Sequence, residues 1–228
     1  MKTIVCIPGL GGHVSVFNNY AQYLKEYSFE YINLINLKKG KSEILEVIKN
    51  KKEEIIVLAN CYGALPLIED FNNLENQIQK LIIIEPFFAE LYWWDWPGNI
   101  LVSILLYLSR LTDKLGFKRS KFMKDIDYTY LSRYPIWLQP FFDLSYQTTT
   151  DYLEKIYDIS NFKLPKDINI PTLLIFSSGG YSQNTEKRNK IISHFKNSTV
   201  VEISKKTHNI VTVSEKEIAS IIKNWLTL

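Results

Sequence analysis

The sequence predicts an α/β fold in which a mostly parallel sheet is covered by helices on both faces. Short apolar runs rich in β-branched residues alternate with stretches whose apolar residues recur at helical spacing. The runs are apolar almost throughout, as expected for strands buried on both faces, and most connections are short. With 228 residues, 46% of them hydrophobic and 22% charged, the chain suits one globular domain that carries an inserted segment.

Four strands are predicted in the first 86 residues, and a helix follows each of the first three. The strand runs are Thr3–Ile7, Phe29–Ile35, Glu54–Ala59 and Leu81–Ile84. The helical stretches are Ser15–Tyr27, a segment that opens at Ser42, and Ala64–Phe71. A glycine-rich turn follows the first strand, and a tight corner follows the third.

The alternation stops after the fourth strand and resumes near residue 171. The intervening segment has helical stretches at residues 100–115 and 149–159, is rich in aromatic residues and shows no obvious strand. The elements that follow it are a strand at Pro171–Phe176, a helix at 185–195, a strand at Thr199–Ile203 and a C-terminal helix.

This pattern predicts one core formed by two separate parts of the chain, residues 1–86 and 166–228. Residues 87–165 are then an insert between the fourth and fifth strands, which we expect to form a helical, aromatic-rich lid. Aromatic and aliphatic side chains at this density would line an acyl channel, or would pack a small core of the insert itself.

Composition and charge argue against several classes of partner. A net charge of +3 is too small to indicate nucleic acid, and no nucleic-acid-binding motif is present. The most apolar stretch, Ile100–Leu111, is too short to cross a bilayer. The two cysteines, Cys6 and Cys61, make no disulfide framework, so we expect a reducing, cytoplasmic location.

Cys61 is the candidate nucleophile because it occupies the corner between the third strand and the next helix. The pattern small–x–nucleophile–x–Gly is that of a nucleophile elbow, and here Ala59 and Gly63 are the small residues. The start of a helix lowers the pKa of a thiol there and offers N–H groups to an oxyanion. A buried structural cysteine is the alternative interpretation.

His208 is the candidate general base. The chain has three histidines, and His208 is the one that follows the last predicted strand, where an imidazole can reach the elbow from the carboxyl edge of the sheet. His13 lies in the first glycine loop, and His194 lies in an amphipathic helix.

The segment Pro8–Gly12 follows the first strand and predicts an oxyanion loop. The backbone N–H groups of Leu10 and Tyr62 would together hold a developing oxyanion. The segment has neither the Lys-Ser/Thr of a phosphate-binding loop nor a GxGxxG spacing, so we expect no cofactor, and we expect no metal.

The first residues also carry a family resemblance. Ile4–Phe17, with its proline-glycine turn, paired glycines and phenylalanine, followed by Tyr23-Leu24, resembles the opening of α/β-hydrolase thioesterases of the polyketide and non-ribosomal-peptide type. The elbow at Cys61 and the position of His208 near the C-terminus resemble those of the same family. The resemblance covers the part of the chain that forms the sheet. It implies an α/β-hydrolase fold and acyl-thioester chemistry. Two departures are the cysteine at the nucleophile position and Ala59 at the first elbow glycine.

The acid of the triad is assigned only by this resemblance. Many α/β-hydrolases place an aspartate after the strand that is Leu173–Phe176 here, but this chain continues Ser177–Gln183 with no carboxylate. Assembly-line thioesterases often place the acid after the preceding strand, which implies Glu85 as the residue that orients His208. A solvent-facing Glu85 with a Cys-His dyad is the alternative, because a thiolate–imidazolium pair forms without a third member.

Together these features predict an acyl-thioester or ester hydrolase, or an acyltransferase, that acts through a covalent acyl-enzyme at Cys61. The acyl substrate would be carried on CoA or an acyl carrier protein. Two alternatives are a small lactone or ester hydrolase, similar to dienelactone hydrolases, and a non-catalytic acyl-binding protein. The basic run Lys118–Lys121 would meet an acidic carrier, a phosphate or an anionic membrane, or is simply solvated.

Overall fold

The computed structural model describes residues 1–9, 14–32, 44–51, 53–86, 167–179, 185–205, 207 and 209–228. These residues build a six-stranded sheet in the order β2-β1-β3-β4-β5-β6, and every neighbouring pair of strands is parallel. The predicted parallel α/β fold is therefore confirmed. The predicted lid at 87–165, with its two helical stretches, lies outside the described residues.

The six predicted strands are all present. The strands are β1 (Thr3–Ile7), β2 (Ser28–Tyr31), β3 (Ile55–Asn60), β4 (Ile78–Ile84), β5 (Thr172–Ser177) and β6 (Ser198–Ile203). The helices are α1 (Tyr20–Tyr23), α2 (described over residues 44–49), α3 (Leu65–Glu69), α4 (Thr185–Ser193), α5 (Ile210–Val213) and α6 (Glu215–Leu226). Short 3-10 helices form at Val14–Phe17, Cys61–Ala64 and Phe71–Asn73.

The predicted helix at Ser15–Tyr27 is wrong in its extent. A 3-10 helix at Val14–Phe17 precedes the four-residue α1, and Asn18 and Asn19 form the turn between them. Asparagine side chains compete with the helical backbone for hydrogen bonds, which favours a break at this pair. The helix after the corner is also shorter than predicted, because Phe71–Asn73 forms a separate 3-10 turn.

Both faces of the sheet are covered, as the apolar strands predict. On one face Val5 and Ile7 of β1 belong to a core with residues of α2, α3 and α4. On the other face Ile4 and Cys6 belong to a core with residues of α1, α5 and α6. Because successive side chains of a strand point to opposite faces, β1 contributes to both cores and lies in the interior.

The described strands β4 and β5 are adjacent and parallel, with Ile84 in register with Ile175. Residues 85–171 connect them along the sequence, so the long connection begins and ends at neighbouring positions of the sheet. Within the described ranges, no helix has the length and apolar character that a membrane span requires.

Candidate active site

Cys61 sits at a strained corner at the carboxyl end of β3. Its φ angle is 48°, in the left-handed region that residues with a side chain rarely adopt. The chain passes directly from β3 into the 3-10 helix Cys61–Ala64 and then into α3. Such strain persists where the surrounding structure enforces it, and it is common at functional sites. The predicted tight corner is confirmed, and the side chain lies at the edge of the core, with the residue 7% exposed.

The corner leaves no space for a side chain at Gly63. A Cβ atom at Gly63 would lie 2.6 Å from the carbonyl oxygen of Ile7 and closer still to that of Pro8. The corner therefore packs directly on the end of β1 and requires glycine here. Ala59 is fully buried and lies in register with Ile7 and Ile83, so its methyl group fits where the resemblance leads one to expect glycine.

The start of the predicted oxyanion loop lies against the candidate nucleophile. A Cβ atom at Gly9 would lie 3.2 Å from the Cβ of Cys61 and 3.0 Å from Nδ2 of Asn60. The loop after β1 can approach this closely because Gly9 has no side chain. Tyr62, the second predicted donor, directly follows Cys61 and is buried. Leu10 lies outside the described residues, so its role stays a prediction.

Glu85 is the first residue beyond β4 and lies beside the corner. Because Asn60 is in register with Ile84, Cys61 and Glu85 follow paired positions of adjacent strands. Glu85 also has a left-handed φ angle, 51°. The residue is only 1% exposed, so the alternative of a solvent-facing glutamate is wrong.

A backbone donor holds the carboxylate of Glu85. Its N–H donates to the carbonyl of Ile175 over 2.8 Å, and its Oε1 accepts a hydrogen bond from the N–H of Ser177. A buried carboxylate needs such a partner, because burial without one costs several kcal/mol. The carboxylate therefore lies at the end of β5, although Glu85 directly follows β4 in the sequence.

The end of β5 is tied in turn to the loop that follows β6. The N–H of Ser178 donates to the carbonyl of Ile203 over 2.9 Å, and its hydroxyl donates to the carbonyl of Lys205 over 3.2 Å. This loop carries His208. The carboxyl ends of β3, β4, β5 and β6 thus lie side by side at one edge of the sheet.

His208 itself lies outside the described residues, but its two neighbours are described. The N–H of Asn209 donates to Oγ1 of Thr207 over 3.2 Å, and the carbonyl of Asn209 accepts from the first turn of α5. Within α5, the carbonyl of Val211 accepts a hydrogen bond of 2.9 Å from the buried hydroxyl of Tyr20. The flanks of His208 are therefore anchored, and its meeting with Cys61 stays a prediction.

The two cysteines differ in environment. Both are free, buried thiols, but Cys6 is completely buried within β1, whereas Cys61 is 7% exposed. Burial raises the pKa of the Cys6 thiol well above its ordinary value, which suppresses its thiolate. In the described part of the chain, no group of three or more His, Cys, Asp or Glu residues is placed to hold a metal ion.

Two residues at this edge were missed by the sequence interpretation. Ser177 entered it only as a position that lacks a carboxylate, and Arg188 did not enter it at all. The role of Ser177 comes from its backbone N–H, which no residue type reveals. Arg188 donates to the carbonyl of Ser177, and its one sequence signal is a basic residue among the polar positions of α4.

Comparison with known proteins supports the fold. No protein-family model matches the chain, and no curated protein matches it. An epoxide hydrolase from Bacillus megaterium matches with a TM-score of 0.71 at 11% identity, covering 100% of this chain and 94% of that one. An enol-lactonase from Burkholderia xenovorans matches with a TM-score of 0.67 at 13% identity, covering 100% and 92%.

A third match is ClbQ from the colibactin NRPS/PKS pathway, with a TM-score of 0.64 at 7% identity, covering 99% of this chain and 97% of that one. Such likenesses, together with the six parallel strands, show that the chain has the α/β-hydrolase fold. At these identities the fold is what is shared, and the chemistry must be argued from the site.

Proposed function

We propose that this chain is an acyl-transfer enzyme that hydrolyses or transfers acyl thioesters or esters through a covalent acyl-enzyme at Cys61. The observation that carries the proposal is the geometry of the corner. Cys61 is held at a φ of 48° at the carboxyl end of a central strand. Gly63 has no room for a side chain, and a Cβ atom at Gly9 would be crowded against Asn60 and Cys61.

In the proposed reaction, His208 takes the proton of the Cys61 thiol, and the sulfur attacks the acyl carbonyl carbon. The C=O π pair moves onto oxygen, and the N–H groups of Leu10 and Tyr62 hold that oxyanion. The bond to the leaving thiol or alcohol then breaks, and the imidazolium returns its proton to the leaving group. In the second half of the reaction, His208 takes a proton from water or another acceptor, which attacks the acyl carbon. The bond to the sulfur of Cys61 then breaks, and the imidazolium returns the proton to the sulfur.

Glu85 would orient His208 and stabilise its imidazolium form. Three observations support this role. The carboxylate is buried, it follows the strand next to that of Cys61, and the N–H of Ser177 fixes it. A fixed carboxylate selects one imidazole tautomer and favours the protonated ring.

The acceptor sets whether the enzyme is a hydrolase or a transferase. A thioester acyl-enzyme is more reactive towards amines and thiols than a serine ester, so transfer or cyclisation is as compatible with Cys61 as hydrolysis. The sequence resemblance favours substrates carried on CoA or an acyl carrier protein, and the match to ClbQ, from an NRPS/PKS pathway, agrees with it. Residues 87–165 would cover the acyl chain. A cytoplasmic location stays a prediction, and so does contact of this segment with membranes.

Hydrolysis of a small lactone or ester is a second candidate. The match to an enol-lactonase favours it, and that fold likeness is as strong as those to the esterases. The two candidates differ in the size of the acyl group that the site accepts, because a long acyl chain needs an extended apolar channel.

A substrate series separates the candidates. Purified protein is incubated with acyl-CoA thioesters of increasing chain length and, in parallel, with small enol lactones, and product release is followed by mass spectrometry. We expect turnover of thioesters with a preference for longer chains. Faster turnover of the lactones would move the assignment to the second candidate.

Two variants complete this experiment. Cys61→Ala removes the nucleophile, and we expect it to abolish turnover of every substrate, whereas Cys6→Ala changes a buried thiol and should leave turnover unchanged. Turnover that survives Cys61→Ala would contradict the proposal. Failure of the intact protein to turn over or bind covalently any member of the series would favour a non-catalytic binding protein.

A further inference from the structure

We propose that Arg188 is a positioning residue for Glu85 and acts on it through the backbone of Ser177. The inference rests on the proposed function, in which Glu85 orients His208. It adds to the site a residue on α4 that touches neither the substrate nor the nucleophile.

The side chain of Arg188 reaches from α4 to the end of β5 through three contacts. Its Nη2 donates to the carbonyl of Ser177 over 3.4 Å. Its Nη1 forms an ion pair with the carboxylate of Glu202 on β6. Its guanidinium carbon lies 4.9 Å from the centroid of the Phe176 ring, within range of a cation–π contact.

These contacts draw the guanidinium out of solvent. The side chain of Arg188 is 16% exposed, whereas that of its partner Glu202 is 49% exposed. The Nε of Arg188 is buried and has no hydrogen-bond partner within the described part of the chain. If Arg188 served only to pair with the exposed Glu202, its guanidinium, including Nε, could stay in water. The burial of Nε therefore favours a role for the guanidinium at the end of β5.

Ser177 is thereby held on both sides of its Cα atom. Its N–H donates to Glu85, and its carbonyl accepts from Arg188. The next peptide N–H, that of Ser178, donates to the carbonyl of Ile203. The hydroxyl of Ser177 has no partner among the described residues, so the main chain alone carries these contacts.

The carbonyl of Ser177 and the N–H of Ser178 belong to one planar peptide group, so loss of Arg188 would leave that group held, among the described residues, only by its hydrogen bond to Ile203. Ser177 could then shift, and its N–H would be less well aligned with the Glu85 carboxylate that accepts it. A displaced carboxylate would stabilise the imidazolium form of His208 less. Because less imidazolium is then present, the Cys61 thiolate would be stabilised less. Cys61 alkylation should therefore need a higher pH in the variant than in the wild-type protein.

The test compares Arg188→Met with the control Glu202→Gln, which removes the exposed charge facing Arg188 and keeps the contact to Ser177. The rate of Cys61 alkylation by iodoacetamide is measured as a function of pH on folded protein. We expect Arg188→Met to raise the midpoint by about one pH unit, Arg188→Lys to raise it less, and Glu202→Gln to leave it unchanged. An unchanged midpoint in Arg188→Met would overturn the proposal.

A double variant separates positioning from general structural support. In a Glu85→Gln background, the carboxylate charge is already gone, so Arg188→Met should add no further shift. A shift that adds in full would show that Arg188 acts by another route and would overturn the proposal. A wild-type midpoint in Glu85→Gln itself would instead remove the assigned role of Glu85.

A second measurement is independent of cysteine chemistry. Amide hydrogen exchange at Ser177, followed by NMR, reports whether its N–H is still bound to Glu85. We expect exchange at Ser177 to be at least about tenfold faster in Arg188→Met and unchanged in Glu202→Gln. Equal exchange in Arg188→Met and wild type would overturn the proposal even if Cys61 proved unreactive.

Discussion

The carboxylate of Glu85 accepts the hydrogen bond that its main-chain carbonyl would accept in a regular parallel ladder, and the donor is the N–H of Ser177. The preceding hydrogen bond follows the regular parallel pattern, because the N–H of Glu85 donates to the carbonyl of Ile175. In a parallel ladder the same residue would then accept from Ser177 through its own C=O. At Glu85 the chain turns away from the sheet with a φ of 51°, and the side-chain carboxylate accepts this hydrogen bond in place of the main-chain carbonyl.

This arrangement predicts the effect of Glu85→Gln. The amide oxygen can still accept from Ser177, so we expect the fold to be kept, but the negative charge that stabilises the imidazolium is lost. The rate of acyl-enzyme formation should fall about 10- to 100-fold, less than in a serine triad, because a thiolate–imidazolium pair forms without a third member. Stopped-flow acylation with an acyl thioester measures this, and a rate equal to wild type would contradict the assignment.

Ser177→Ala is the matched control for the same contact. The variant keeps the N–H that binds Glu85 and removes a buried hydroxyl with no partner among the described residues. We expect the acylation rate to stay within about twofold of wild type and the free energy of unfolding to be equal or higher, because a buried polar group without a partner is costly. A large loss of rate would assign a role to the hydroxyl.

Gly63→Ala should disrupt the corner. The added methyl group would collide with main-chain carbonyl oxygens at the end of β1, which cannot move as a flexible side chain can. We expect a loss of about 3 kcal/mol in the free energy of unfolding. The matched change Ala59→Gly should cost only about 1 kcal/mol, because it creates no collision. Urea unfolding measures both, and a larger loss for Ala59→Gly than for Gly63→Ala would contradict the packing described here.

Stability should fall at alkaline pH because of Tyr20. Burial, followed by the charges of Glu215 and Cys6, raises the pKa of the Tyr20 hydroxyl well above its ordinary value. A group whose pKa is raised on folding stabilises the fold fully below its unfolded pKa, about 10, and this contribution is lost as the pH rises towards the folded pKa. Tyr20→Phe should cost about 1 kcal/mol at pH 7, because the hydrogen bond to Val211 is lost.

The same variant supplies the check on that pH dependence. Above pH 10 the decline in the free energy of unfolding should be shallower in Tyr20→Phe than in wild type, since the titrating hydroxyl is gone. Urea unfolding at pH 7 and at pH values above 10 measures the difference. Parallel declines in both proteins would show that Tyr20 does not contribute.

The sheet and the corner could be predicted from the sequence because their signals are local. The six apolar runs correspond to six strands, and the small residues around Cys61 predicted the tight corner that its φ of 48° confirms. Hydrophobic periodicity and steric demands at a corner are properties of neighbouring residues, so a linear sequence records them. The predicted helix Ser15–Tyr27 was too long, because the turn at Asn18 and Asn19 interrupts an otherwise regular apolar pattern.

The support of Glu85 could not be predicted, because it depends on main-chain groups and on contacts between distant segments. The N–H of Ser177 lies 92 residues from the carboxylate that it binds. Arg188 reaches the same site from a helix that follows β5. Only the strand order, with β4 beside β5, brings these groups to one edge.

The most direct measurement of the central claim is intact-mass analysis after brief incubation with an acyl thioester, followed by peptide mapping. We expect an adduct of one acyl group on Cys61 and none on Cys6, whose thiol is fully buried with a raised pKa. We also expect the adduct to form far more slowly in His208→Ala. An adduct on Cys6, or one that forms on Cys61 at the same rate without His208, would contradict the account.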